Sequence, residues 1–158
     1  MQIIKFIKKL FIPKDFVVHV ESFNTVVTKP EMMQRLRKLT IAPYSGLNHE
    51  LTTLTKISKT RKVNCDILTA EKNGTIIGWA ILSNEDSSYW FKSTDGYKSH
   101  FGTLFEVYVL PEYRRQGIAS ELIKVARRKS KNRLCIAPHD PVSEGFFSKF
   151  DNYKPRII

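Results

Sequence analysis

Apolar positions change their spacing several times along the chain, and each change marks an element. Ile3, Ile4, Ile7, Leu10 and Phe11 recur at helical spacing with lysines between them, which predicts an amphipathic helix at the start. Such a helix either docks on a globular domain or lies on a membrane surface. Residues 16–23 read as a strand. Thr28-Lys29-Pro30-Glu31 has the capping-box pattern with proline near the first helical position, so a helix begins there, with Met32, Leu36 and Leu39 as its buried stripe. A second helix is expected over residues 48–59, with Leu47, Leu51 and Leu54 on one side.

The spacing then shifts to that of strands. Residues 66–72 and 75–82 are joined by Asn73-Gly74, a hairpin signal because a type I′ turn needs positive φ at both positions. Residues 83–102 are polar but hold Tyr89, Trp90, Phe91, Tyr97 and Phe101, which either line a site or anchor a loop. A strand follows at 104–110. Ile118, Leu122, Val125 and Ala126 then give a helical stripe at i, i+4, i+7 and i+8. A short strand at 134–137 and a short helix at 142–150 complete the pattern. With no repeat, low-complexity tract or linker, the expected organisation is an N-terminal amphipathic extension, 1–15, and a single domain, 16–158.

The stretch with most chemical content runs from Leu104-Phe105-Glu106-Val107-Tyr108-Val109-Leu110 through Pro111-Glu112-Tyr113 to Arg114-Arg115-Gln116-Gly117-Ile118-Ala119. A strand that ends in a basic, glycine-containing turn and then a helix makes an anion site from backbone alone. Successive amides point inward, and the helix N-terminus adds its positive dipole end. Gly117 removes a Cβ where a phosphate must approach the main chain. Arg114 and Arg115 add fixed charge suited to a pyrophosphate.

Arg114-x-x-Gly117-x-Ala119, with its flanks, resembles the Gln/Arg-x-x-Gly-x-Gly/Ala signature of GNAT-type N-acetyltransferases, which cradles the pyrophosphate of acetyl-CoA. The close match covers residues 104–130 and a looser one 16–155. The resemblance implies an α/β (α+β) fold with a mixed, mostly antiparallel central sheet and helices on both faces. Little chain remains after Phe150, so the C-terminal strand is expected to be short or missing. In this family two parallel strands splay apart and acetyl-CoA inserts between them; here these would be 104–110 and 134–137. Main-chain groups of Val107, Tyr108, Val109 and Leu110 would bind the pantetheine and acetyl carbonyl, with an amide near Val109 or Leu110 polarising the thioester oxygen. Amides of Arg114, Arg115, Gln116, Gly117, Ile118, Ala119 and Ser120 would hold the pyrophosphate, and Asp140 stands near a family cofactor contact.

The implied reaction is attack of a neutral primary amine on the thioester, which requires something to take a proton from the amine. Glu106 is the only charge in its strand, and it reads either as that base or as a solvent-facing acid paired with a lysine. The family's thiolate-protonating tyrosine is replaced at the matching Phe146-Phe147, leaving Tyr153 as the alternative acid or a core aromatic. The acceptor is an amine-bearing small molecule or protein.

Composition narrows this picture. A chain of 158 residues builds one domain with a substantial core. Cys65 and Cys135 lie far apart among strand-like residues and read as buried thiols. His19, His49, His100 and His139 form no metal or triad pattern, so no metal is expected. No run approaches a membrane span, and residues 1–12 lack the features of a signal peptide, so the expected location is cytoplasmic. Lysine and arginine outnumber acids by 26 to 15, a net charge of +11 that acetyl-CoA binding does not require. Lys124, Arg127, Arg128, Lys129, Lys131 and Arg133 follow one another with no acid between them. They form either a solvated helix face or a field for an anionic partner such as nucleic acid. The second reading makes the protein a binding module with weakened chemistry.

Overall fold

A computed structural model describes residues 15–39, 47–84, 102–131 and 134–136. The N-terminal helix, the aromatic run 85–101, the helix at 142–150, the C-terminal strand, Asp140 and Tyr153 lie outside the described residues. In chain order the elements are β1 Val17–Ser22, α1 Phe23–Val26, α2 Pro30–Leu39, α3 Leu47–Ser58, β2 Cys65–Lys72, β3 Thr75–Ser83, β4 Gly102–Val109, a 3₁₀ turn Pro111–Tyr113, α4 Ile118–Lys129 and β5 Leu134–Ile136. The strands form one sheet in sequence order, antiparallel from β1 to β4, with β5 parallel to β4. This is the mixed, mostly antiparallel sheet expected from the sequence.

Alternation along the strands divides the core in two. Leu68, Ala70, Ala80, Leu82, Leu104 and Val109 meet Ile118, Leu122, Ile123 and Ala126 of α4 on one face. Ile67, Trp79 and Ile81 meet Phe23 and Val26 of α1, Met33 and Leu36 of α2, and Leu51 and Leu54 of α3 on the other. Helices therefore cover both faces. Asn73 and Gly74 take φ of 49° and 75°, the two left-handed residues that the hairpin requires.

Local expectation and structure part at α1 and α2. Phe23 opens a short helix instead of closing β1, because its ring is fully buried against the α2 and α3 side. Asn24 holds this turn in place, donating to Val63 O at 2.6 Å and accepting from Val63 N at 3.2 Å. Thr28 does not cap α2: its hydroxyl donates back to Thr25 O at 2.8 Å, and Met33 N donates to Lys29 O at 3.1 Å. Met33 and Leu36 are the buried residues of α2, with Met32 and Leu39 only half-buried.

Two irregularities in the ladder matter for the site. Ala70 pairs with Gly78 and Glu71 with Ile76, so Ile77 is an extra residue in β3. Ile81 pairs with Glu106 and Leu82 with Leu104, so Phe105 is an extra residue in β4. The second bulge inverts the phase of β4. Leu104 packs on the α4 face, and so do Val107 and Val109, an odd number of residues further on.

Candidate active site

The β4–β5 pairing spans Gly102↔Leu134, Thr103↔Cys135 and Leu104↔Ile136, and among the described residues it goes no further. Beyond the bulge at Phe105, the β5-side edge of β4 runs on without a strand partner among the described residues. Leu110 N donates to Ile77 O at 3.0 Å. By alternation in an antiparallel ladder, Tyr108 main-chain groups also face β3, while those of Val107 and Val109 face the open edge. The nearness of Tyr108 O to Gly78, 3.0 Å from where a Cβ would stand, agrees with this. The four strand residues expected to bind the cofactor thus separate. Val107 and Val109 present backbone groups to the gap, whereas those of Tyr108 and the Leu110 N–H turn to the sheet.

The strand continues into the turn that the sequence singled out. Tyr113 N donates to Leu110 O at 2.9 Å and Arg114 N to Pro111 O at 3.3 Å. Arg115 takes φ 61° and Gly117 φ 80°, which swings the chain into α4. Glu121 N closes the first helical bond on Gly117 O at 3.0 Å. Amides 115–120 precede that ladder and make no backbone bond among the described residues, as expected at a helix start. The Arg114 amide is already engaged, so the run of amides without a backbone partner begins at Arg115. Arg115, Gln116 and Gly117 are exposed, Ile118 is buried, and Ala119 and Ser120 are half-buried. A Cβ on Gly117 would meet nothing within 4 Å, so the space over these amides is open to a ligand. The open strand edge, the free amides and this space fit acetyl-CoA.

Gly78 sets the helix against the sheet. A Cβ there would lie 3.1 Å from Ile118 Cγ2 and 3.3 Å from Val109 Cγ2, so only glycine lets the start of α4 sit this close to β3 and β4.

The inverted phase of β4 decides the position of Glu106. It faces away from α4, on the same side as Tyr108 and opposite Ile81, where α1 to α3 pack. The residue is half-buried and its Oε2 is buried. Without the extra residue at 105, the carboxylate would share the face of Leu104 and point at α4. Tyr108 stacks on the fully buried Trp79 with ring centroids 4.7 Å apart and planes at 23°. Trp79 was hidden in the sequence as one more apolar residue of a strand. Its Nε1 is buried without a hydrogen-bond partner among the described residues.

The described residues contain no group of acids, histidines and cysteines able to hold a metal. Cys65 is a buried thiol, as its strand setting suggests. No helix among them is long and apolar enough to cross a membrane.

A strand edge released by a bulge, followed by a left-handed glycine and a helix N-terminus, is the frame of an acyl-CoA transferase. The family model of the acetyltransferase (GNAT) family matches residues 33–151, and the chain belongs to this family of acetyl-CoA-dependent N-acetyltransferases. Solved structures share the fold. Apo aminoglycoside 6'-N-acetyltransferase AAC(6')-IG from Acinetobacter haemolyticus has a TM-score of 0.62 at 16% identity, over 90% of this chain and 95% of that one. Ribosomal-protein-alanine N-acetyltransferase from Brucella melitensis biovar Abortus 2308 has a TM-score of 0.54 at 17% identity, over 90% and 97%. Aminoglycoside N-acetyltransferase AAC(6')-Iy in complex with CoA has a TM-score of 0.55 at 20% identity, over 90% and 96%. No curated protein sequence matches the chain.

Proposed function

We propose that this protein transfers the acetyl group of acetyl-CoA to a primary amine, with residues 16–158 acting as one catalytic domain. The observation that carries this reading is the continuity of the β4 open edge, at Val107 and Val109, with the free amides at 115–120. A strand-pairing pantetheine arm and a pyrophosphate would meet these two surfaces in that order. Acetyl-CoA supplies the activated acetyl group. Val109 N–H, rather than that of Leu110, is the donor available to the thioester carbonyl, since Leu110 N–H is held by Ile77 O. Glu106 accepts the proton that the amine must lose, from a face of β4 opposite to the α4 side. Asp140 as a cofactor contact and Tyr153 as an acid are further assignments within this proposal.

Structural neighbours are named for aminoglycoside and ribosomal-protein-alanine acetylation, so both acceptor classes belong in the test. The experiment is release of free CoA from acetyl-CoA across a panel of aminoglycosides, polyamines, and peptides with free N-termini or lysines. Acceptor-dependent release supports the reading. Calorimetry that shows no binding of CoA or acetyl-CoA would overturn it.

A further inference from the structure

We infer that Arg114 is a positioning residue whose side chain clasps the end of β4 and so fixes the anion cradle relative to the strand edge. The inference rests on the reading of the site as an acetyl-CoA site. Arg114 heads the basic turn, and the sequence alone casts its charge as a pyrophosphate ligand. The structure directs the side chain back toward the sheet. Its Nε–H donates to Val109 O at 3.0 Å, and the guanidinium carbon lies 5.4 Å from the centroid of the Tyr108 ring. That ring is itself stacked on Trp79, which is fully buried. Arg114, Tyr108 and Trp79 thus root an exposed turn in the core.

The carbonyl that Arg114 holds belongs to the open edge of β4. Among the described residues no strand pairs with this end of β4, and the guanidinium supplies the carbonyl with a donor. Between β4 and α4 the chain passes Arg115 and Gly117, both at positive φ, where neither ladder nor helix bonds define its path. A ligand that touches both the strand edge and the cradle gains from both only when their separation is set beforehand. Otherwise binding must also order the turn. The clasp supplies that order. Lysine cannot replace it, because it has neither the Nε–H beside the stem nor a planar group to lie over Tyr108.

The experiment measures binding of three probes to the full chain by calorimetry: CoA, its nucleotide half 3′-phospho-ADP, and acetylpantetheine. Arg114→Lys is expected to weaken CoA roughly tenfold, the scale of one charge-assisted hydrogen bond, while 3′-phospho-ADP and acetylpantetheine each change by less than about twofold. Tyr108→Leu should weaken CoA in the same sense. Combined with Arg114→Lys it should add less than the sum of the two, because both break one clasp. Equal losses for CoA and 3′-phospho-ADP would make Arg114 a direct phosphate ligand and overturn the inference. So would unchanged CoA affinity, or full additivity of the two substitutions. If the unmodified protein binds CoA but the variants do not differ from it, only the clasp fails. If the unmodified protein binds neither CoA nor 3′-phospho-ADP, the acetyl-CoA reading fails and takes the clasp with it.

Discussion

At Gly117 the main chain takes φ 80°, a conformation that side-chain-bearing residues rarely adopt, yet a Cβ there would have empty space around it. Fold and ligand therefore respond differently to substitution. Gly117→Ala should cost about 1 kcal/mol of stability through backbone strain, measured by thermal or urea unfolding. Gly117→Glu should in addition abolish CoA binding in calorimetry, since it fills the space over the amides and repels the phosphates. Undiminished CoA binding by the Glu variant would move the phosphate site elsewhere. Glu106 belongs to the same scale but to a different step. Glu106→Gln keeps the shape while removing the proposed proton acceptor, so turnover with a true acceptor should fall roughly 10²- to 10⁴-fold. CoA affinity should stay close to that of the unmodified protein. Equal turnover by both would return the residue to a structural role.

Among the elements, α4 and the sheet are in contact through two glycines at opposite ends of the helix. A Cβ at Gly102 would stand 2.8 Å from Ser130 Cβ and 3.1 Å from Leu82 Cδ1, against the C-terminal end of α4. At Gly78 it would meet Ile118 at the N-terminal end. Alanine at either position overpacks a tight contact and should destabilise by about 1 to 3 kcal/mol in urea unfolding. Only Gly78→Ala displaces the helix start beside the anion cradle, so only that variant should also weaken CoA. Equal CoA affinities for the two variants would show that the start of α4 does not govern the cradle. The stripe of α4 was legible, with Ile118, Leu122 and Ala126 buried and Val125 packed half-buried against the same core, to which Ile123 is added as a fully buried residue. The capping pattern at Thr28 was legible and misleading. Its hydroxyl found a nearer carbonyl at Thr25, an outcome that depends on α1, which no periodic signal announces over four residues.

For the whole molecule the excess of positive charge is the property to test. Glu121 of α4 itself and Asp66 of β2 temper the basic end of the helix. Glu121 lies 3.9 Å from both Lys124 and Arg128, and Lys129 lies 3.5 Å from the buried Asp66. Exposed pairs of this kind contribute little stability, but they dilute the field. The expected outcome is a solvated basic face: weak retention on nucleic acid that disappears as salt rises, because each neutralised phosphate releases counterions. Replacing Arg127, Arg128 and Lys131 with Gln should lower that retention and leave CoA affinity intact. Tight retention at high salt, with no CoA release from acetyl-CoA, would favour the binding-module reading instead.

What local sequence decides is whatever a few neighbouring residues can decide between themselves. Asn73-Gly74 demands the hairpin through its φ angles, apolar spacing places α4, and Arg115 to Gly117 ahead of a helix makes a donor-rich turn wherever it occurs. The hairpin, the helix and the form of this turn could therefore be read in advance. The tertiary structure decided the rest, because the deciding partners lie far apart in the chain. Phe105 becomes an extra residue only through pairing with β3, and that register alone turns Glu106 away from α4. Leu110 gives its amide to Ile77 O, and the Arg114 side chain turns back to Val109 O. A one-residue shift of register exchanges the two faces of a strand, and the sequence of that strand does not record it.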